Sequence, residues 1–133
     1  MLEKPDLSDA QIQTCLNASF GINVENLEFL PIGNDSNAWA YRIETPKKKF
    51  FLKIRNSLPK LASLHVPAYL HSVGINNPIA PIRTSQSDLY AYLGDFVLIM
   101  YEWIGENSAW GMTLSGEQWQ DWGNIMRQIH ETP

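Results

Sequence analysis

Residues 27–55 read LEFLPIGNDSNAWAYRIETPKKKFFLKIR, and their reading decides the fold. Residues 27–32 and 38–44 are rich in the aromatic and branched side chains that suit a pleated, half-buried surface. Between them, Gly33-Asn34-Asp35-Ser36-Asn37 consists of residues that tolerate special backbone angles, so it reads as a turn. Thr45-Pro46-Lys47-Lys48 is a second turn, and residues 50–55 form a third strand. Consecutive strands joined by short turns predict an antiparallel meander. Strand alternation then puts Phe51, Lys53 and Arg55 on one face, and Phe50, Leu52 and Ile54 on the other. Trp39 and Tyr41 share a face of the second strand by the same rule.

Helical signals flank the meander. Upstream, Ser8 and Gln11 form a capping box, Ile12, Leu16 and Phe20 follow at near-helical spacing, and Gly21 is a stop, predicting a helix over 9–20. Downstream, residues 58–73 read as a helix ended by Gly74, with Pro67 forcing a kink or a late start. Short strands are expected at 79–83, 89–93 and 96–103. The last is nearly uninterrupted apolar sequence, as in a strand covered on both faces. Residues 107–113 read as a loop. Ser115 and Gln118 make a second capping box, and a final helix runs to about 131. Its stripe of Trp119, Trp122, Met126 and Ile129 reads first as packing surface. Helix, three strands, helix, three short strands and helix make an α+β chain, with helices against an antiparallel sheet.

Composition narrows the function classes. A chain of 133 residues fits one domain and can bury a core. A net charge of -4 leaves no footprint for nucleic acid. No apolar run is long enough to span a bilayer, and the polar first residues do not read as a secretory signal. The single Cys15 cannot form an internal disulfide, so a cytoplasmic setting is expected. It reads as a buried face residue. Lys47, Lys48 and Lys49 read as a solvated hairpin tip. His65, His71 and His130 lack metal-ligand spacing, and no metal site is expected. Asp35, Asp88 and Asp95 show no partner arrangement in the sequence.

Three segments could carry chemistry, and each also has a plainer reading. The turn at 33–37 could lay backbone N–H groups over phosphates, since glycine permits close approach; it could equally be an ordinary hairpin turn. Lys53, among apolar strand neighbours, could meet phosphate oxygens as a point charge, or snorkel at a sheet edge. The strand at 96–101, leading into Glu102-Trp103-Ile104-Gly105, could offer main-chain groups to a purine edge, or be a core strand with its exit loop.

The order of these three signals is that of a kinase small lobe. Phe29 to Tyr41 resembles the nucleotide loop of the aminoglycoside phosphotransferase family, in particular its spectinomycin group. Phe51-Leu52-Lys53-Ile54 resembles that family's lysine strand. Leu70-His71-Ser72-Val73-Gly74-Ile75 and Pro78-Ile79-Ala80-Pro81-Ile82 resemble the segment after its helix. Gln118-Trp119, Gly123 and Arg127-Gln128-Ile129-His130-Glu131-Thr132 resemble the helix that begins the large lobe.

The resemblance implies a protein-kinase-like fold. Residues 1–104 would be the ATP-binding amino-terminal lobe, and 105–133 the loop after the hinge and the first helix of an otherwise absent carboxy-terminal lobe. It implies ATP as cofactor, with Mg²⁺ expected only in the complete enzyme, and an aminocyclitol-type small molecule as acceptor. The backbone at Asp35, Ser36 and Asn37 would cover the triphosphate, and Lys53 would contact the α/β-phosphates. The main chain of Tyr101, Glu102, Trp103 and Ile104 would hold adenine, with Ile32 and Phe51 walling the ring.

Two departures stand out. Kinases pair the strand lysine with a helix glutamate, yet no acidic residue occurs between Arg55 and Asp88. The chain also has no H-x-D-x-x-x-x-N loop, so a truncated lobe without catalytic residues, inactive alone, is expected. Rival readings are a standalone nucleotide-binding module and a protein-interaction domain. Self-association through exposed apolar surface is also expected.

Overall fold

The computed structural model describes residues 3–33, 35–104 and 114–133. The expected loop at 107–113, Gly105 and Asn34 lie outside them. Eight elements follow in order: α1 (Asp9–Phe20), β1 (Asn26–Leu30), β2 (Ala38–Glu44), β3 (Lys49–Arg55), α2 (Ala62–Ser72), β4 (Ala91–Leu93), β5 (Phe96–Glu102) and α3 (Gly116–Glu131). The strands form one antiparallel sheet in the order β1-β2-β3-β5-β4. With helices flanking it, this is the expected α+β, kinase-like small-lobe architecture.

Local chemistry explains most boundaries. The Ser8 hydroxyl accepts from the Gln11 N–H at 3.1 Å, and the Gln11 side chain accepts from the Ser8 N–H at 2.9 Å. Gly21 closes α1 in the left-handed region at φ 67, where a side chain would be strained. Ser115 and Gln118 repeat the box at the start of α3. Strand β1 ends at Leu30 rather than 32, because Pro31 has no N–H for a ladder. The second helix starts later than expected, at Ala62, and still carries Pro67 inside it.

The strand expected at 79–83 does not form. Pro81 removes a donor from that segment and Pro78 removes one just before it, and its ladder-like contact is the Ile82 N–H to the Met100 carbonyl at 2.8 Å. Leu89 precedes β4 and packs beneath α2 instead.

Alternation splits the sheet's two faces. Tyr41, Ile43, Phe50, Leu52, Ile54, Leu98 and Met100 bury against Ile12, Cys15 and Leu16 of α1. On the opposite face, Leu64 of α2 packs with Leu89, Val97 and Ile99. Strand β5 is therefore covered on both sides, and Val97 to Met100 are all buried. Helix α3 buries no residue: Trp119 and Trp122 are exposed. Among the described residues, no helix is long and apolar enough to cross a membrane.

Candidate functional site

Helix α2 covers only the β5 side of its face. The uncovered remainder is a cavity of about 600 Å³ over β3 and the end of β5, within the range of small-molecule sites. Lys53 sits mid-strand in its floor. Its ladder neighbours are Ala40 on one side and Ile99 on the other. The small Ala40 leaves the lysine stem room on the cleft side, while Phe51, two residues earlier, faces the same way. The Phe51 ring lies 6.3 Å from Tyr101 and 6.4 Å from Trp103. Those aromatics make one apolar end, and Lys53 supplies positive charge.

Seven of the residues singled out in the sequence line this one cavity: Ile32, Phe51, Lys53, Tyr101, Glu102, Trp103 and Ile104. Asp35, Ser36 and Asn37 do not line it. They sit over the end of β3, held by contacts to Arg55 and Asn56. Leu30 and Ile79 line the cavity and were missed. Leu30 could have been found, because its register through Ala40 to Lys53 follows from the meander. Ile79 could not, since it arrives from irregular chain.

Electrostatics are uneven across the site. The Lys53 side chain has no ion pair or hydrogen bond among the described residues, as the acid-free span after Arg55 foreshadows. Asp35, which showed no partner in the sequence, pairs with Arg55 at 3.3 Å. At the aromatic end, the Arg42 guanidinium lies 5.9 Å from the Trp103 ring centroid and pairs with Glu28. Lys48 pairs with Glu102 at 3.2 Å, so β2 touches the linker at Trp103 and the β2–β3 hairpin touches the end of β5. Burial pushes the Tyr101 phenol above its usual range, with Arg55 pulling the other way. Among the described residues, no three His, Cys, Asp or Glu side chains gather where they could hold a metal ion.

No family model matches the sequence, and no curated protein matches it. Solved structures do. The crystal structure of spectinomycin phosphotransferase APH(9)-Ia in complex with ADP and spectinomycin matches at a TM-score of 0.88 and 31% identity, over 97% of this chain and 39% of that one. The AMP-bound complex of spectinomycin phosphotransferase APH(9)-Ia matches at 0.82 and 28%, over 96% and 38%. In fold, the chain is similar to an amino-terminal part of spectinomycin phosphotransferase. It spans about 39% of that enzyme's length. In this lobe the cleft is formed by β1, β3 and β5 together with the linker after β5.

Proposed function

We propose that the lobe binds the adenine nucleotide of an ATP-dependent small-molecule kinase, which in its complete form phosphorylates a hydroxyl of an aminocyclitol such as spectinomycin. The observation that carries this reading is the placement of Lys53 in the same cavity as Phe51 and the linker at 101–104. A flat apolar slot suits a purine, and a lysine lining the same cavity suits its phosphates. The structural relatives were crystallised with ADP or AMP, which supports the same ligand class here.

In this reading the main chain from Tyr101 to Ile104 holds adenine, with Ile32 and Phe51 as walls. Lys53 neutralises charge on the α/β-phosphates, and the turn at Asp35, Ser36 and Asn37 covers the phosphate end. ATP, when bound, supplies the phosphoryl group. Phosphoryl transfer is largely positioning and charge neutralisation, and this lobe provides one wall of that arrangement. The sequence contains no H-x-D-x-x-x-x-N loop to accept the substrate proton. The chain alone is therefore proposed to bind without turnover, with Mg²⁺ joining only in the complete enzyme.

Calorimetric titration with ADP tests the reading. Binding should be measurable and should weaken about tenfold or more in Lys53→Ala, the scale of a lost charge-assisted contact. No heat of binding at millimolar ADP would sink it. Mg²⁺-dependent phosphorylation of spectinomycin by the chain alone would overturn the inactivity.

A second reading rests on α3, where Trp119 is 61% and Trp122 43% exposed on an amphipathic helix with nothing buried. Such a face suits an interaction surface, either for a carboxy-terminal lobe or for a second copy. Sedimentation should show concentration-dependent association that Trp119→Glu abolishes; a monomer at every concentration would remove the self-association.

A further inference from the structure

The turn that follows β1 is tied to the sheet in an unusual way. Ladder pairing between β1 and β2 ends at Leu30 and Ala40, so Asp35, Ser36 and Asn37 have no ladder partner on the β1 side. Their attachment comes from the end of β3 instead. The Asp35 carboxylate accepts the Asn37 N–H at 2.9 Å with one oxygen and Arg55 Nη1 at 3.3 Å with the other. The Asn37 carbonyl accepts the Asn56 N–H at 3.1 Å, and the Asn37 side chain accepts from Asn56 Nδ2, also at 3.1 Å.

We propose that the Asp35–Arg55 ion pair is a clamp that fixes the glycine turn over the phosphate end of the cleft, making Arg55 a positioning residue for nucleotides with two or more phosphates. The inference rests on the nucleotide reading above. Arg55 lies on the Lys53 face, two residues further along β3, or about 7 Å at strand rise. The clamp therefore sets where the turn stands relative to the lysine.

Charge supports the assignment. A carboxylate beside the phosphate path would repel the ligand unless a cation neutralised it. Arg55 is that cation, and its Nε is buried without a hydrogen-bond partner among the described residues. Its hold on the turn thus runs through Nη1. In kinases an acid on the helix orients the strand lysine. Helix α2 carries no acid, and the ion pair of this cleft orders the covering turn rather than the lysine. The partners are 20% and 45% exposed, so the pair adds little to global stability and its loss should be read in binding.

Titrations with ADP and AMP on the wild-type chain, Arg55→Ala, Arg55→Lys and Asp35→Asn test this. Arg55→Ala should weaken ADP about fivefold to tenfold and AMP less than about twofold, because only the second phosphate reaches the turn. Arg55→Lys should retain most of the ADP affinity. Asp35→Asn should weaken ADP in the same sense as Arg55→Ala, since the clamp acts through the carboxylate. Equal losses for ADP and AMP would overturn the clamp as a mere structural effect. Unchanged or tighter ADP binding by Asp35→Asn would overturn it in favour of direct phosphate contact by Arg55. A wild-type chain that binds neither nucleotide would sink the nucleotide reading, and the positioning role with it. The clamp on the turn itself would then be judged by amide exchange at Asn37, Ala38 and Asn56, which should be several-fold faster in Arg55→Ala and would refute the clamp if unchanged.

Discussion

The two faces of the sheet are made by the same strands and do opposite things. On the α1 face, Phe50, Leu52 and Ile54 are buried among Ile12, Cys15 and Leu16. On the other face, Phe51, Lys53 and Arg55 are half-buried, and α2 reaches only as far as Leu89, Val97 and Ile99. One strand of seven residues thus carries a sealed core on its even positions and an open cleft on its odd ones. The sealed face gives the cleft a rigid floor. Neighbouring Cβ atoms point oppositely, so a cleft-facing lysine can sit between two core residues without entering the core. The cleft exists because a helix of 11 residues covers part of a five-stranded sheet.

Adjacent substitutions on β3 test this division most strongly. Leu52→Ala should cost about 3 kcal/mol in chemical denaturation, the range for a fully buried leucine. Phe51→Ala, one residue away, should cost about 1 kcal/mol, since its ring keeps one side open. Its larger effect should fall on ADP binding. Comparable stability losses at both positions would mean that the cleft face is packed as tightly as the other.

A second test sharpens the account of the sealed face. The Tyr41 hydroxyl is buried there with no hydrogen-bond partner among the described residues. Burial, with Asp9 adding like charge, pushes its pKa up to about 12. The unfolded chain releases that proton near pH 10, whereas the folded chain keeps it. Between those values the unfolded state binds fewer protons, so stability falls as pH rises from 10 to about 12. Tyr41→Phe should leave stability equal or about 1 kcal/mol higher at neutral pH, because it removes an unsatisfied polar group. Its advantage should widen above pH 10. A destabilised variant with an unchanged alkaline profile would place a partner on that hydroxyl.

These features were not equally legible in the sequence. Period-two alternation identified the faces of residues 50–55, and local hydrogen-bonding chemistry identified the starts of α1 and α3 at Ser8 and Ser115. Both signals are short in range. The segment 79–83 misled because its apolar content resembles a strand, while Pro81 within it and Pro78 just before it lack donors. The Asp35–Arg55 pair spans twenty residues and depends on how the turn folds back over β3, which no spacing rule encodes. Ile79 reaches the cleft from irregular chain for the same reason. The cleft's floor was therefore readable from β3, and its roof was not.

The smallest effect concerns the end of β5. Lys48 pairs with Glu102 at 3.2 Å, with side chains 55% and 70% exposed. Lys48 also lies 5.1 Å from the Phe50 ring centroid, so the lysine caps the sealed face while its charge reaches the cleft rim. An exposed pair of this kind contributes about 0.3 kcal/mol. Glu102→Gln should accordingly shift the denaturation midpoint barely beyond error, and the shift should vanish at high salt, where surface charges are screened. ADP affinity should stay within about twofold, because the proposed adenine contacts use the main chain of this strand and not its carboxylate. A larger loss of ADP binding without a loss of stability would show that the linker's position is set by the ion pair. The ladder to β3, which holds Glu102 opposite Phe50, would then be insufficient to fix the rim of the cleft.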